Sequence, residues 1–218
     1  SLPYTLPLAT ALPERTRITD AVALFYGGSE AYGFHSLEAM QCVLEQRAGG
    51  EHGIQALTVH TGERVWDIMA QPGWPTALFD AALGCVQNSA PGDLRANCSG
   101  VNGHNVSPAL FEIERGDGLR EWHVYLDGHI SDFALAVRDD DGGIHASRWE
   151  AGDAHDFYHH FAALDLMIER MFVTGRAPVP IERTLLTTLA IERVMHALAH
   201  PGTRMETPDL RISYSAVE

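Results

Sequence analysis

Cysteine is scarce in this sequence, and the cysteines present show no paired spacing. There are three, Cys42, Cys85 and Cys98, an odd number without a CxxC motif. This argues against a disulfide framework and predicts a reducing, cytoplasmic compartment. Cys42 falls within a predicted helix, where a thiol is more often packed than reactive.

Long apolar runs and phosphate-binding glycine loops are also absent. No apolar stretch approaches the roughly 18–20 residues that span a bilayer, and the first residues lack the basic and apolar segments of a signal peptide. The chain contains no GxGxxG, no GxxxxGK[ST] and no GxSxG motif. We therefore expect neither a nucleotide site nor a nucleophile elbow in this chain.

Positive charge is outnumbered by negative charge. Fifteen basic residues face 29 acidic ones, giving a formal net charge of −14. Such a surface repels phosphate backbones and argues against nucleic acid as a partner. With 218 residues, of which 45% are hydrophobic, residues 1–218 suit a single globular domain with a sizeable core. Because the sequence lacks an initiator methionine, we expect a processed chain or a piece of a longer product.

Hydrophobic periodicity predicts strands and helices in a mixed order. A central run from residue 109 to residue 137 alternates like an antiparallel meander, and residues 88–105 resemble a long loop. This order of strands and helices along the chain predicts an α+β fold, with a mostly antiparallel open sheet and helices packed on one face. Further strands are predicted at residues 18–26, 54–61 and 210–215, and helices at residues 36–47, 75–86, 156–172 and 181–199.

The segment around His35 is the first candidate for chemistry. His35 follows Gly33 at a predicted strand-to-helix junction, with Ser36 as the predicted helix N-cap. Imidazole exchanges protons near neutral pH, so His35 suits general acid–base catalysis, with Tyr32 as a hydroxyl donor and Glu38 as an orienting carboxylate. The structural alternative is that His35 caps the helix or fills a gap in the fold.

Two HxxxH spacings form a second candidate. His155 and His159, next to His160, share one predicted helix, and His196 and His200 share another. Two imidazoles on one helical face are able to bind zinc. Neither pair has the glutamate that directly follows the first histidine in metalloproteases. We therefore interpret both pairs as solvated helix faces and predict no metal site, keeping a metal-dependent hydrolase as a minor alternative.

Three stretches together carry a family resemblance. They are GSEAYGFHSLEAM at residues 28–40, MFVTGRAPVPIERTLL at residues 171–186 and RMETPDL at residues 204–210. In order and spacing they resemble the carboxy-terminal part of bacterial proteins in the glucose–fructose oxidoreductase and inositol dehydrogenase (Gfo/Idh/MocA) superfamily. The resemblance covers nearly the whole chain.

The resemblance implies the second domain of a two-domain enzyme. In this superfamily an amino-terminal Rossmann domain binds NAD or NADP and supplies a catalytic lysine, and the following α+β domain forms the substrate wall and often the oligomer interface. The family pattern Asp-x-Gly-x-His-x-x-Asp corresponds here to residues 31–38. Gly33 and His35 match, Glu38 is a conservative replacement, and Ala31 removes the first carboxylate. The resemblance implies that His35 moves the substrate proton.

Two functional hypotheses remain open at this stage. In the first, the chain is the substrate-binding and oligomerisation domain of an NAD(P)-dependent oxidoreductase that acts on a sugar, polyol or related hydroxy compound. That hypothesis implies a missing Rossmann domain, no cofactor in this chain and self-association through the sheet face. In the second, a non-catalytic ligand-binding or assembly module has kept the scaffold, which Ala31 favours. Neither hypothesis involves nucleic acid or a membrane.

Overall fold

A seven-stranded open sheet forms the centre of the molecule. The computed structural model describes residues 8–10, 15–98, 100–102, 105–150 and 159–216. The strands of this sheet are β1 (Ile18–Phe25), β2 (Ile54–Thr61), β5 (Ala109–Arg115), β6 (Arg120–Tyr125), β7 (Ala134–Asp139), β8 (Ile144–Arg148) and β9 (Met205–Glu206), and a separate hairpin pairs β3 (Gly100–Asn102) with β4 (Asn105–Ser107).

The strand order explains why the central segment is not a simple meander. The order is β8-β7-β1-β6-β5-β2-β9, so β1 lies between β6 and β7. It runs parallel to β6 and antiparallel to β7, and the other pairs are antiparallel. Almost every position of β1 is buried, as expected for a strand covered on both faces. The predicted mostly antiparallel open sheet is confirmed, with one parallel pair added.

The helices pack on both faces of this sheet. The prediction placed the helices on one face, whereas α1 and α6 cover one face and α3 covers part of the other, above β1, β7 and β8. The reason is that β1 has apolar side chains on both of its sides, so both faces need a cover. No helix in the described ranges is long and apolar enough to cross a membrane. The helices are α1 (Ala31–Leu44), α2 (Glu63–Met69), α3 (Thr76–Gly84), α4 (Leu94–Asn97), α5 (His159–Thr174) and α6 (Ile181–Leu198), with a 3₁₀ turn at Pro208–Leu210.

Alternating residues of the central strand build the two halves of the core. In β1, Phe25 belongs to the cluster beneath α6, whereas Val22 and Leu24 pack with Leu78 and Phe79 of α3. This is the two-residue period of a strand. We call the two sides the α1 face and the α3 face. Tyr32, His35 and Glu38, which the sequence predicts as a candidate catalytic site, lie on the α1 face.

Gly33 sets the distance between α1 and the rest of the α1 face. A Cβ built at Gly33 would lie 3.2 Å from Cδ1 of Ile191 and 3.3 Å from Cε2 of Phe111. Both distances are tighter than ordinary van der Waals contact. Glycine therefore allows α1 to sit close to both α6 and β5, which holds the first turns of α1 over the sheet.

Several predicted element boundaries are wrong. α1 begins at Ala31, so Ser36 lies inside the helix, and its hydroxyl hydrogen-bonds His123 rather than capping a terminus. The predicted loop at residues 88–105 contains α4 and β3. The short α2 was not predicted, and the predicted final strand is replaced by the 3₁₀ turn and a single bridge from Tyr214 to Glu51. Local signals are weakest at such ends, where tertiary partners decide.

Candidate functional site

Tyr32 and His35 lie on the first turns of α1, within an aromatic cluster. Their rings meet edge to face with centroids 5.9 Å apart, and both side chains are half-buried. Tyr32 also stacks on Phe133 at 5.9 Å and meets Tyr26 edge-on at 5.1 Å. A partly exposed imidazole in contact with a tyrosine ring has the composition of a proton-transfer site. The structure thus brings two of the three predicted site residues together.

Glu38, the third predicted residue, is directed towards Arg183 of α6. Its Oε2 accepts a hydrogen bond from Nη1 of Arg183 at 2.8 Å, and its carbonyl oxygen accepts one from Nη2 at 2.9 Å. Glu38 is 2% exposed and Arg183 is 1% exposed. The pair therefore fastens α1 to α6 in the interior. A role for Glu38 in supporting His35 would act through the position of the helix.

Arg183 is the centre of a small buried network. Its Nε donates to both carboxylate oxygens of Glu45, at 3.1 and 3.3 Å, and Nη2 lies 3.1 Å from Sγ of Cys42. The Tyr214 hydroxyl donates to Glu45 at 2.7 Å. Burial raises the pKa of the Cys42 thiol to about 12. Cys42 is therefore a packed thiol rather than a nucleophile at neutral pH, in agreement with its helix position.

Sequence reasoning missed a second buried network, which lies between α1 and the sheet. Oγ of Ser36 is 2.7 Å from Nδ1 of His123, and Nε2 of His123 is 2.7 Å from Oε1 of Glu121. Nε of Arg115 donates to Oε2 of Glu121 at 2.6 Å, and Nη1 of Arg115 lies 3.1 Å from Glu51. Charged groups in the interior are thus each paired with a neighbour.

The charge of Glu121 is strongly favoured within this network. Burial alone would raise its pKa, but the adjacent Arg115 and the hydrogen bond from His123 outweigh burial and hold the pKa at about 2. Glu121 and His123 are each fully buried, and Ser36 is 1% exposed. The serine–histidine–carboxylate series resembles a hydrolytic triad in composition only, since no substrate reaches it. It positions α1, which carries Tyr32 and His35.

A sequence signal for these missed residues did exist. Glu121 and His123 occupy alternate positions of β6, on the same side as Tyr125, and the opposite side buries Trp122 and Val124. Arg183 likewise falls on the buried stripe of α6 with Leu186 and Ala190. Charged residues at inward positions predict buried ion pairs. Glu121 has near partners in Arg115 and His123, but Ser36 and the partners of Arg183 come from distant parts of the chain, so spacing alone could not identify them.

The histidine pairs do not form a metal centre in the part of the chain that the structure describes. His196 and His200 are exposed near the end of α6. Within the described ranges, no group of three or more histidine, cysteine, aspartate or glutamate side chains is arranged to hold a metal ion. His155 and the side chains of His159 and His160 lie outside the described residues. The pair formed by His155 and His159 therefore stays untested.

Comparison with known proteins relates the fold to oxidoreductases. No protein-family model matches the chain, and no curated protein matches it. Among solved structures, GenD2 from gentamicin A biosynthesis, in complex with NAD, aligns with 88% of this chain at 11% identity and a TM-score of 0.55. A probable dehydrogenase from Thermotoga maritima aligns with 90% at 8% identity and a TM-score of 0.53.

A third structure, a myo-inositol dehydrogenase from Corynebacterium glutamicum, aligns with 87% of this chain at 11% identity and a TM-score of 0.50. These neighbours are oxidoreductases of the type that the sequence resembles. The chain covers only 56%, 58% and 56% of the three neighbouring chains. At such identities the likeness establishes the fold. The aligned region corresponds to a domain-sized portion of each neighbour.

Proposed function

We propose that this chain is the substrate-binding and oligomerisation domain of an NAD(P)-dependent oxidoreductase that acts on a sugar, polyol or related hydroxy compound. The observation that carries the proposal is a histidine, His35, half-exposed beside Tyr32 on the first turns of α1, in a fold shared with NAD-bound GenD2. Position and chemistry agree with the role that the family resemblance implies for His35.

The chain's own contribution would be proton transfer and substrate orientation. Neutral His35 would accept the proton of a substrate hydroxyl as the substrate is oxidised, and the Tyr32 hydroxyl would hydrogen-bond the same oxygen. Glu38 would act as a positioning residue, since its bond to Arg183 fixes α1 against α6. No glycine-rich dinucleotide loop is present in the sequence, so we assign NAD or NADP to a nucleotide-binding domain outside this chain.

Activity of the native gene product provides the test. The protein would be incubated with NAD or NADP and a panel of polyols and sugars, and reduced nicotinamide would be followed by fluorescence. His35→Asn should lower kcat about 100-fold or more, as expected for loss of a general base. His52→Asn, at an exposed histidine beyond the end of α1, is the matched control and should leave kcat unchanged. Turnover that survives His35→Asn would refute the role of His35.

A non-catalytic ligand-binding or assembly module is the second candidate. Ala31 stands where the family pattern has a carboxylate, and the Glu38 carboxylate accepts a hydrogen bond from Arg183. Both observations remove acidic groups from the neighbourhood of His35. This candidate expects saturable polyol binding by calorimetry without turnover with either cofactor. Turnover with one of the cofactors would eliminate it.

Self-association through the sheet is the second part of the proposal. On the α3 face, α3 packs on β1, β7 and β8, and α2 contacts β2. The polar side chains of Thr58, Glu112 and Glu114 are only partly buried there. Light scattering would give the oligomer size. Thr58→Arg should dissociate an oligomer formed by the sheet, whereas Phe172→Ser, on exposed α5, should not. The reverse result would move the interface to α5.

A further inference from the structure

A cavity of about 1080 Å³ opens at the end of α1, far from His35. Its walls are the residues that follow α1, the second half of α5, the segment after α5 and the chain near Ser215. His35 lies near the start of α1 and Glu45 at its end, about 15 Å apart at 1.5 Å per residue. The cavity is therefore separate from the proposed proton-transfer site.

Arginine dominates the lining of this cavity. Arg15, Arg47, Arg170 and Arg176 line it, and Glu45 is the one acidic side chain among the described lining residues. That carboxylate is already bonded to Arg183 and Tyr214. The chain as a whole has a net charge of −14 and no lysine. Apart from Arg47, which is paired with Glu51 and Asp117, three guanidinium groups around one cavity are a concentrated positive field in an acidic protein.

Three of the four guanidinium groups lack a carboxylate partner in the part of the chain that the structure describes. Arg15, Arg170 and Arg176 have no carboxylate within 4.0 Å among the described residues. Arg47 differs from these three, because its Nε donates to Asp117 at 2.9 Å, its Nη1 lies 3.3 Å from Glu51, and its side chain is 1% exposed. Its Nη2 is buried without a hydrogen-bond partner in the described structure. The three exposed guanidinium groups, rather than Arg47, are therefore the ones that remain to bind an anion.

The backbone at Arg15 supports the same interpretation. Arg15 has a φ of 56°, the sole positive φ at a non-glycine position among the residues described. Its N–H donates to the carbonyl of Gln46 at 2.9 Å, which ties it to the end of α1 beside Arg47. Strained backbone of this kind persists where the surroundings enforce it and concentrates at ligand sites. Here it places a fourth guanidinium at the cavity.

We propose that this cavity binds a small molecule carrying a multiply charged oxyanion, of the phosphate or polycarboxylate class. Guanidinium groups recognise both chemistries through paired N–H donors. Met167, Met171 and Val179 line the same cavity and would contact the apolar part of the ligand. The acidic surface elsewhere would exclude long polyanions such as nucleic acids, so the site selects compact anions.

Calorimetric titration of the purified protein with pyrophosphate, and separately with citrate, tests the proposal. We expect saturable binding of at least one anion, weakening with added salt, and the two arms decide between the phosphate and polycarboxylate classes. Arg170→Gln combined with Arg176→Gln should weaken binding about tenfold or more, because each removes a charged hydrogen bond. The control is Arg64→Gln combined with Arg95→Gln, which removes equal charge at exposed positions outside the cavity.

A second variant separates binding from folding. Arg15→Gly removes one guanidinium and relieves the positive φ, so it should weaken anion binding while leaving Tm unchanged or raised. Lack of binding by both anions at millimolar concentration would overturn the proposal. Equal weakening by the control pair would also overturn it, since the effect would then be net charge and not the cavity.

Discussion

The two sides of α1 differ in how their polar groups are used. On the side that packs against the sheet and α6, Ser36, Glu38 and their partners are buried and bonded to one another. At the start of the helix, Tyr32 and His35 are half-exposed among aromatic rings. The buried side uses polar groups to hold the helix, and the start of the helix leaves an imidazole ring partly exposed. A helix that carries a reactive group benefits from such anchoring.

The largest expected effect comes from breaking the anchor at Arg183. Arg183→Met leaves Glu38 and Glu45 buried beside each other without their cation. We expect a loss of about 3–5 kcal/mol in the free energy of unfolding, measured by urea denaturation. The matched control is Arg193→Met, on the same helix but paired with Asp209 at the surface, with an expected loss of about 1 kcal/mol or less. Equal losses would mean that the buried network is not an anchor.

The next effect depends on pH and concerns Glu121. Its pKa is about 2 in the folded protein, against an ordinary value of 4.5, because Arg115 and His123 overcome the cost of burial. A lowered folded pKa adds stability above the unfolded pKa, and this stability is lost as the pH falls from about 4.5 to about 2. Thermal melts across that range should show a smaller acid-induced decrease in Tm for Glu121→Gln. An unchanged pH profile would contradict the ion pair.

A smaller effect is expected where a single neutral hydrogen bond is removed. Ser36→Ala deletes the hydroxyl that lies 2.7 Å from Nδ1 of His123 and leaves that nitrogen without its partner. The expected cost is about 1–3 kcal/mol, measured by urea denaturation. Ser36→Cys, which retains a weak donor of similar size, should recover part of the loss. Full stability of Ser36→Ala would show that the bond contributes nothing to the position of α1.

The smallest change in stability is expected at His35. His35→Gln alters a half-exposed ring that contacts Tyr32 and Phe34, and should change the free energy of unfolding by about 1 kcal/mol or less. His123→Gln, in the fully buried network, provides the contrast and should cost more. If His35→Gln lowers the free energy of unfolding as much as His123→Gln does, His35 has a structural role. The proposed difference between the buried side of α1 and its exposed start is then wrong.

The predictable parts of the fold are those governed by local chemistry. The ends of β2 agree with the predicted strand, and α6 matches its predicted range within a residue, because strand alternation and helical spacing are set by neighbouring residues. The turn between β7 and β8 was also recognised from its glycines and aspartates. The position of β1 between β6 and β7 was missed, because strand order depends on contacts between distant segments.

For the candidate site, the sequence predicted three residues that the structure places on one helix, but it could not predict what each side chain contacts. The pattern around Gly33 identified Tyr32, His35 and Glu38 as a group, and the structure places them along the first two turns of α1. Glu38 proved to be bonded to Arg183, more than a hundred positions away in the chain. Spacing along a helix tells which residues share a face, but it does not tell what packs against that face.

The amino-acid sequence by itself determined the α+β class, the acidic charge, the lack of a dinucleotide loop and the presence of the helix that carries Glu38. These follow from composition and short-range pattern, which act between near neighbours. Only the tertiary structure decided that Ser36, His123 and Glu121 are buried as one network and that Glu38 bonds to Arg183. It also decided that several arginines line one cavity. Those features join distant segments, and long-range packing brings such segments together.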